Sequence, residues 1–204
     1  MLLKIHPETP DPRHLKTVVE CLLDGGVVIL PTDTIYAATC NIKKSKAVDK
    51  IAKLKGVKKE KANFSFLFSD LSQLSDYTRP ISNDVYKLMK KCLPGPYTFI
   101  LDANNNIPKI FQSKKKTIGI RIPDNNIALN IIKELGNPIM STSIRNEDDI
   151  LEYITDPELI YEKYENFADI IVHGGYGDNL ASTIIDCTNH EIQLIREGKG
   201  EINI

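Results

Sequence analysis

The feature that most constrains this chain is an abrupt change of character at residue 31. Val27-Val28-Ile29-Leu30 is an apolar run of strand length, and Pro31-Thr32-Asp33-Thr34-Ile35-Tyr36 follows it directly. A short apolar run that ends in turn-forming residues reads as a buried strand. In open α/β sheets, ligands collect at the carboxyl ends of such strands. Thr32 and Thr34 carry hydroxyls that donate and accept, and Asp33 accepts. The same side chains can instead satisfy one another in a local Asx or Thr turn. The segment alone leaves a binding role and a turn role open.

Length and composition narrow the class. The chain has 204 residues, of which 42% are hydrophobic and 26% charged. That balance supports a sizeable core and argues against disorder. The first residues, Met1-Leu2-Leu3-Lys4-Ile5-His6-Pro7, lack the apolar run of a signal peptide, and no apolar stretch has the length of a membrane span. Cys21, Cys40, Cys92 and Cys187 are scattered without metal-ligand spacing, so no metal site is expected. The expectation is reduced, mostly buried thiols in a cytoplasmic protein with no membrane partner. The net charge of −1 hides an asymmetry: residues 43–61 hold nine lysines against Asp49 and Glu60, whereas residues 147–169 hold nine acids against Lys163. Solvated helix faces explain both, and the basic stretch also suits an anionic ligand.

Local signals outline alternating elements. Asp11-Pro12 is an N-cap followed by proline at the first helical position. Leu15, Val18, Val19, Leu22 and Leu23 then recur at helical spacing until Gly25-Gly26. A second helix is expected over Lys44–Leu54, with Ala47, Val48, Ile51, Ala52 and Leu54 on its core side. Asp70 can cap a short helix, Ser82 or Asn83 another to Cys92, and Asp156-Pro157 a third to about Glu165. A helix over Asn126–Leu135 ends at Gly136. Strands are expected at Phe64–Phe68, Tyr97–Leu101, Thr117–Ile122, Pro138–Thr142, Ile170–Val172, Thr183–Asp186 and Ile192–Ile195, with a turn at Asn104-Asn105-Asn106. The whole reads as one α/β domain, residues 1–204, built on a mixed sheet.

Several segments together resemble the YrdC family, the L-threonylcarbamoyladenylate synthases and their relatives. The family's Pro-Thr-Asp/Glu-Thr-x-Tyr-Gly-Leu signature reads Pro31-Thr32-Asp33-Thr34-Ile35-Tyr36-Ala37-Ala38. Further matches are Leu93-Pro94-Gly95-Pro96-Tyr97-Thr98, Gly119-Ile120-Arg121-Ile122-Pro123 and Ser141-Thr142-Ser143, then Ser182-Thr183-Ile184-Ile185-Asp186 and Ile195-Arg196-Glu197-Gly198. They occur in the family's order over roughly residues 15–198. The wording around Thr98, Arg121, Ser143 and His173 is most similar to the YciO branch. The resemblance implies a twisted, open mixed sheet with helices and a large concave cleft.

It also implies a reaction. L-threonine and bicarbonate give a carbamate that attacks the α-phosphorus of ATP, forming threonylcarbamoyl-AMP and pyrophosphate, with Mg²⁺ on the phosphates. Positioning and cations facing developing charge would supply most of the catalysis. By resemblance, threonine falls to Thr34, Arg121, Ser141 and Ser182. The nucleotide falls to Lys55, Lys61, Thr117, Ser143 and Arg196, with Lys55 and Arg121 as the catalytic cations. The planar fork of Arg121 suits a carboxylate, and an internal ion pair is its other reading. Lys55, at a helix end, also complements the helix dipole. No Gly-x-x-x-x-Gly-Lys-Ser/Thr loop occurs, which excludes a P-loop ATPase by motif.

Three positions depart from the family pattern. Lys-x-Arg reads Lys55-Gly56-Val57, Ser-x-Asn reads Ser143-Ile144-Arg145, and the Gly-Leu after the tyrosine reads Ala37-Ala38. A guanidinium lost from a buried phosphate contact is worth about 1.5–3 kcal/mol. Nucleotide binding is therefore better supported than full synthase activity in tRNA N6-threonylcarbamoyladenosine formation. The alternative is a binding protein for nucleotides, tRNA or double-stranded RNA, using the lysines of residues 43–61 on phosphates. A hydrolase or transferase acting on carbamoyl-adenylates is a third reading.

Overall fold

The computed structural model describes residues 1–56, 64–108, 111, 116–144 and 152–201. Among them are the strands β1 (Leu2–Lys4), β2 (Val28–Leu30), β3 (Ala37–Asn41), β4 (Ser65–Leu67), β5 (Tyr97–Asp102), β6 (Thr117–Arg121), β7 (Ile139–Ser143), β8 (Ile170–His173), β9 (Thr183–Asp186) and β10 (Gln193–Arg196). The helices are α1 (Pro12–Asp24), α2 (Ser45–Leu54), α3 (Asn83–Cys92), α4 (Asn126–Leu135), α5 (Glu152–Thr155) and α6 (Pro157–Tyr164). All ten strands join one mixed sheet in the order β1-β8-β2-β3-β7-β4-β6-β5-β9-β10. Four neighbouring pairs are parallel: β1 with β8, β8 with β2, β4 with β6, and β5 with β9. The mixed open sheet expected from the sequence is the one observed.

Period-2 alternation divides the strands between two cores. On β2, Val28 and Leu30 enter a cluster with Leu15, Val18, Val19 and Leu22 of α1 and Ile127, Ile131 and Ile132 of α4. Ile29 faces the opposite cluster, which holds Ala47, Val48 and Ile51 of α2, Met89 of α3 and Ile160 of α6. On β8, Ile170 and Val172 face α1 and α4, while Ile171 faces the other side. Burial of both faces is why these strands read as unbroken apolar runs.

The helix signals hold. The Asp11 carboxylate accepts from the Arg13 N–H at 2.8 Å, and Pro12 opens α1. Gly25 ends α1 with φ +90°, a conformation glycine adopts without strain. The Ser82 hydroxyl caps α3, and the Asp156 carboxylate caps α6. Four details differ. Leu23 is 47% exposed, because it lies about 100° around α1 from Leu22. Leu54 is only half-buried at the last turn of α2. Asp70 closes an Asx turn onto Ser72 instead of capping a helix, and the short 3₁₀ turn starts later, at Leu74. Strands β1 and β3 were not expected. All five residues of β3, Ala37-Ala38-Thr39-Cys40-Asn41, are buried, so they show no alternation, and alanine and asparagine are poor strand formers.

Candidate functional site

The site begins where β2 ends. Residues 31–36 leave the sheet before the chain returns as β3, and Arg121 closes β6, four places away in the strand order. Across a flat sheet that separation is about 19 Å. Yet Arg121 Nη2 lies 2.9 Å from Asp33 Oδ1 and 2.9 Å from Thr34 Oγ1. The reach of the loop and the curl of the sheet together close the gap and make this end of the sheet concave.

The partners fix the proton directions. Thr32 Oγ1 donates to the Ile35 carbonyl at 2.9 Å and accepts the Thr34 N–H at 3.1 Å. Its single proton is thereby used, so the Thr34 hydroxyl donates in the 3.1 Å contact between the two threonines. Thr34 Oγ1 then accepts from Arg121. The turn and the site are one network: the local Thr turn holds Thr34 in the orientation that meets the guanidinium.

The ion pair is buried, with side-chain exposures of 10% for Arg121 and 7% for Asp33. Burial pulls the Arg121 pKa down, the adjacent Asp33 carboxylate opposes that, and the Arg196 charge lowers it further. Arg121 keeps its charge nonetheless. Among the described residues, two buried atoms of the pair meet no partner, Asp33 Oδ2 and Arg121 Nε. A buried acceptor and donor left unmet cost free energy, and together they form a small dipolar pair able to meet a ligand once the ion pair parts.

Small polar residues continue the site along the sheet. Registers place Thr39 beside Ser141, Ser141 beside Ser65, and Ser65 beside Gly119. Gly119 and Arg121 share a face of β6 by alternation. Ser141 Oγ donates to the Ser65 carbonyl at 3.3 Å. Ser182 Oγ meets Thr98 Oγ1 at 2.8 Å, and the Ser182 carbonyl accepts from Arg196 Nη2 at 2.8 Å.

A polar cavity of about 440 Å³ opens beside the 31–36 loop and includes Thr32, Asp33, Tyr176, Asp178 and Lys199 in its lining. Lys199 Nζ donates to the Asp33 carbonyl at 2.7 Å and pairs with Asp178 Oδ2 at 2.8 Å. Burial raises the Asp178 pKa, but the Lys199 ammonium and the Leu180 and Asn179 N–H groups outweigh it and leave the carboxyl below its usual range. The Asp178 N–H reaches the Thr34 carbonyl at 3.2 Å. Gly177 lies flat on the Tyr36 ring, where a Cβ would come within 2.6 Å of Tyr36 Cδ2. Tyr36 itself is fully buried; its hydroxyl donates to the Gly175 carbonyl at 2.7 Å and accepts from the Gly174 N–H at 3.2 Å.

The structure thus gathers Thr34, Arg121, Ser182 and Arg196, with Ser141 on the same floor. Lys55 and Ser143 meet separately: Lys55 Nζ donates to the Ser143 carbonyl at 3.3 Å. Thr117 sits at the far end of β6 beside Asp102, about 13 Å along the strand from Arg121. Lys61 and the departures Val57 and Arg145 lie outside the described residues. Sequence reasoning missed Lys199, Asp178 and Tyr176. Their nearest signals were the matched Arg196-Glu197-Gly198 just before Lys199 and the glycine pair just before Tyr176. All four cysteines are free, with Cys40 and Cys187 buried. Among the described residues no group of three or more His, Cys, Asp or Glu side chains could hold a metal ion, and no helix is long and apolar enough to cross a membrane.

The end of the sheet thus brings a row of hydroxyls, Arg121 and Arg196 close to a polar cavity lined by Asp33, Asp178 and Lys199 in an α/β protein. The Sua5/YciO/YrdC family model, described as telomere recombination, matches residues 20–198, and the chain belongs to that family. An uncharacterized Haemophilus influenzae protein is 42% identical, over 96% of this chain and 94% of its own length. Escherichia coli YciO is 38% identical over 97% of this chain and 95% of its own. A Bacillus subtilis threonylcarbamoyl-AMP synthase is 30% identical over 93% of this chain and 54% of its own. The crystal structure of E. coli YciO superposes with a TM-score of 0.91 at 36% identity, over 100% of this chain and 98% of that one. P. abyssi Sua5 complexed with L-threonine has the same fold, with a TM-score of 0.86 at 24% identity, over 97% of this chain and 57% of that one.

Proposed function

We propose that this protein binds L-threonine and ATP in the cleft and, with bicarbonate, forms threonylcarbamoyl-AMP, pyrophosphate and water for tRNA N6-threonylcarbamoyladenosine modification. The observation that carries this reading is the buried Arg121–Asp33–Thr34 network with its two unmet polar atoms. A threonine zwitterion supplies the matching groups, a carboxylate for the guanidinium and an ammonium for the Asp33 carboxylate. Binding exchanges the internal ion pair for two pairs with the ligand. Ser141, Ser182 and the remaining lone pair of Thr34 are the hydroxyl contacts for the threonine side chain. Lys55, Lys61, Thr117, Ser143 and Arg196 take the nucleotide, and Lys55 and Arg121 offset charge as the carbamate oxygen bonds to the α-phosphorus and pyrophosphate leaves. Magnesium, arriving with the nucleotide, supplies charge neutralisation at the phosphates. Names of relatives also support the reading, since one is a threonylcarbamoyl-AMP synthase and a protein of the same fold was solved with L-threonine.

The test is mass-spectrometric detection of threonylcarbamoyl-AMP from purified protein, ATP, Mg²⁺, bicarbonate and L-threonine. Arg121→Lys is the control, because it keeps a cation against Asp33 and removes the planar fork. Product from the wild type that falls at least about tenfold in the variant supports the reading. No product, together with double-stranded RNA binding that weakens steeply with salt, would replace it with the RNA-binding alternative through the exposed Lys43, Lys46 and Lys53.

A further inference from the structure

A ring of contacts ties residues 198–201 to the loop that carries Asp33 and Thr34. Lys199 Nζ donates to the Asp33 carbonyl at 2.7 Å and pairs with Asp178 Oδ2 at 2.8 Å. The Asp178 N–H in turn donates to the Thr34 carbonyl at 3.2 Å. Two successive carbonyls of the loop are thus taken by two residues that also hold each other, and the ring closes through the Asp33–Thr34 peptide. The N–H of that peptide is fixed as well, on Thr32 Oγ1 at 3.1 Å. Asp33 and Thr34 are the same two residues whose side chains meet Arg121 Nη2. Lys199 itself stands on a strap pinned to β9 and β5. Its N–H donates to the Ala181 carbonyl at 2.8 Å, the Gly198 N–H donates to Thr183 Oγ1 at 3.0 Å, and the Thr183 hydroxyl donates to the Gly200 carbonyl at 2.6 Å. The Tyr97 hydroxyl donates to the Glu201 carbonyl at 2.8 Å. The flanking glycines permit this approach: a Cβ on Gly198 would come within 2.3 Å of the Ala181 oxygen, and one on Gly200 within 2.4 Å of Tyr97 Cε1.

On the reading that L-threonine displaces the internal ion pair, we propose that Lys199 is a positioning residue for the ligand ammonium. In the free protein Arg121 itself holds the Asp33 carboxylate. When the guanidinium turns to the ligand carboxylate, that hold is given up, and the place of Asp33 depends on its backbone. The clip from Lys199 fixes the peptide after Asp33 and so keeps the carboxylate where an ammonium can meet it. Lys199 acts through Asp33 in this role and touches no reacting atom. An ammonium suits the task because its several N–H donors serve the carbonyl and the Asp178 carboxylate at once. Asp178 directs the ammonium, and its own N–H carries the grip on to Thr34. Lys199 and Asp178 therefore act as one unit. Such an arrangement discriminates: it favours a ligand that brings a positive charge to Asp33 over one of the same shape that brings none.

Binding to the full chain tests this with two ligands, L-threonine by calorimetry and, by NMR titration, the dihydroxy acid in which a hydroxyl replaces the threonine ammonium. In Lys199→Met the Kd for threonine should rise about tenfold, the scale of one charge-assisted hydrogen bond. The Kd for the dihydroxy acid should rise less than about threefold on the same scale. The ratio of the two is the decisive readout, because a general loosening of the fold weakens both ligands alike. Asp178→Ala should shift the ratio in the same direction, so the test stands even where Lys199→Met does not fold. The double variant should bind threonine within about twofold of Lys199→Met alone, as expected of two residues in one network. Unchanged threonine binding in both variants, equal losses for the two ligands, or losses that multiply in the double variant would each overturn the proposal and leave the threonine reading standing. A wild-type protein that does not bind L-threonine would overturn both.

Discussion

Two halves of one sheet are built to opposite ends. Between β1 and β3, the face covered by α1 and α4 is filled by Val28, Leu30, Ile170 and Val172, all buried and all hydrocarbon. From β7 to β9 the same face still sends Ile139 and Leu67 into that cluster but otherwise carries Ser141, Ser65, Gly119, Thr98 and Arg121, with the Ser141 hydroxyl donating to the Ser65 carbonyl and the Thr98 hydroxyl meeting Ser182. Strand geometry is the same in both halves. What differs is side-chain volume and polarity: large apolar groups draw a helix onto the face, while small polar ones leave it concave. The covered half gains from burial, whereas the open half retains a buried ion pair with unmet atoms, a local cost that the covered half does not carry.

Substitutions can break this contrast. The largest effect is expected from Arg121→Met, which leaves the Asp33 carboxylate buried without its cation and should cost about 3–5 kcal/mol. Adding Asp33→Asn should recover most of it, as read from urea midpoints of both variants. In the covered half, Leu22→Ala should cost about 2–5 kcal/mol, with no second-site change at residue 33 able to restore it. Equal rescue of both variants would erase the distinction between a charge site and a packing site. Thr34→Val should cost about 1–3 kcal/mol, since it removes the acceptor for Arg121 and the donor to Thr32. Loss of L-threonine binding by calorimetry should accompany it.

The smallest effect sharpens the pH behaviour. Asp178 has a lowered folded-state pKa, so its pair with Lys199 stabilises above the usual carboxylate value near 3.9 and is lost as pH falls through the folded value. Asp178→Asn should cost less than about 1 kcal/mol at pH 7, because both side chains are partly exposed. The difference from wild type should shrink in acid-titrated urea unfolding once the pH falls below the usual carboxylate value.

Much of the fold is legible in the chain. The Asp11-Pro12, Ser82 and Asp156-Pro157 caps, the left-handed Gly25 and Gly136 stops, and the apolar stripes of α1 and α4 are local signals, and local physics decides them. β3 was hidden because a strand of small residues buried throughout has neither alternation nor propensity to announce it. Within the site, Thr32 and Thr34 announce their turn from adjacent positions, and resemblance to a family placed Arg121 beside them.

The sequence by itself determined where helices start and stop, that strands such as β2 are buried on both faces, and which short polar segments stand at strand ends. Those properties depend on residues within a few positions of one another. Only the tertiary structure decided that Arg121 pairs with Asp33, 88 residues earlier, and that Lys199 reaches back 166 residues to the same aspartate's carbonyl. It alone placed His173 at the base of the loop that meets Thr34. These contacts depend on strand order and on the curl of the sheet, which set distances between segments that no local pattern encodes.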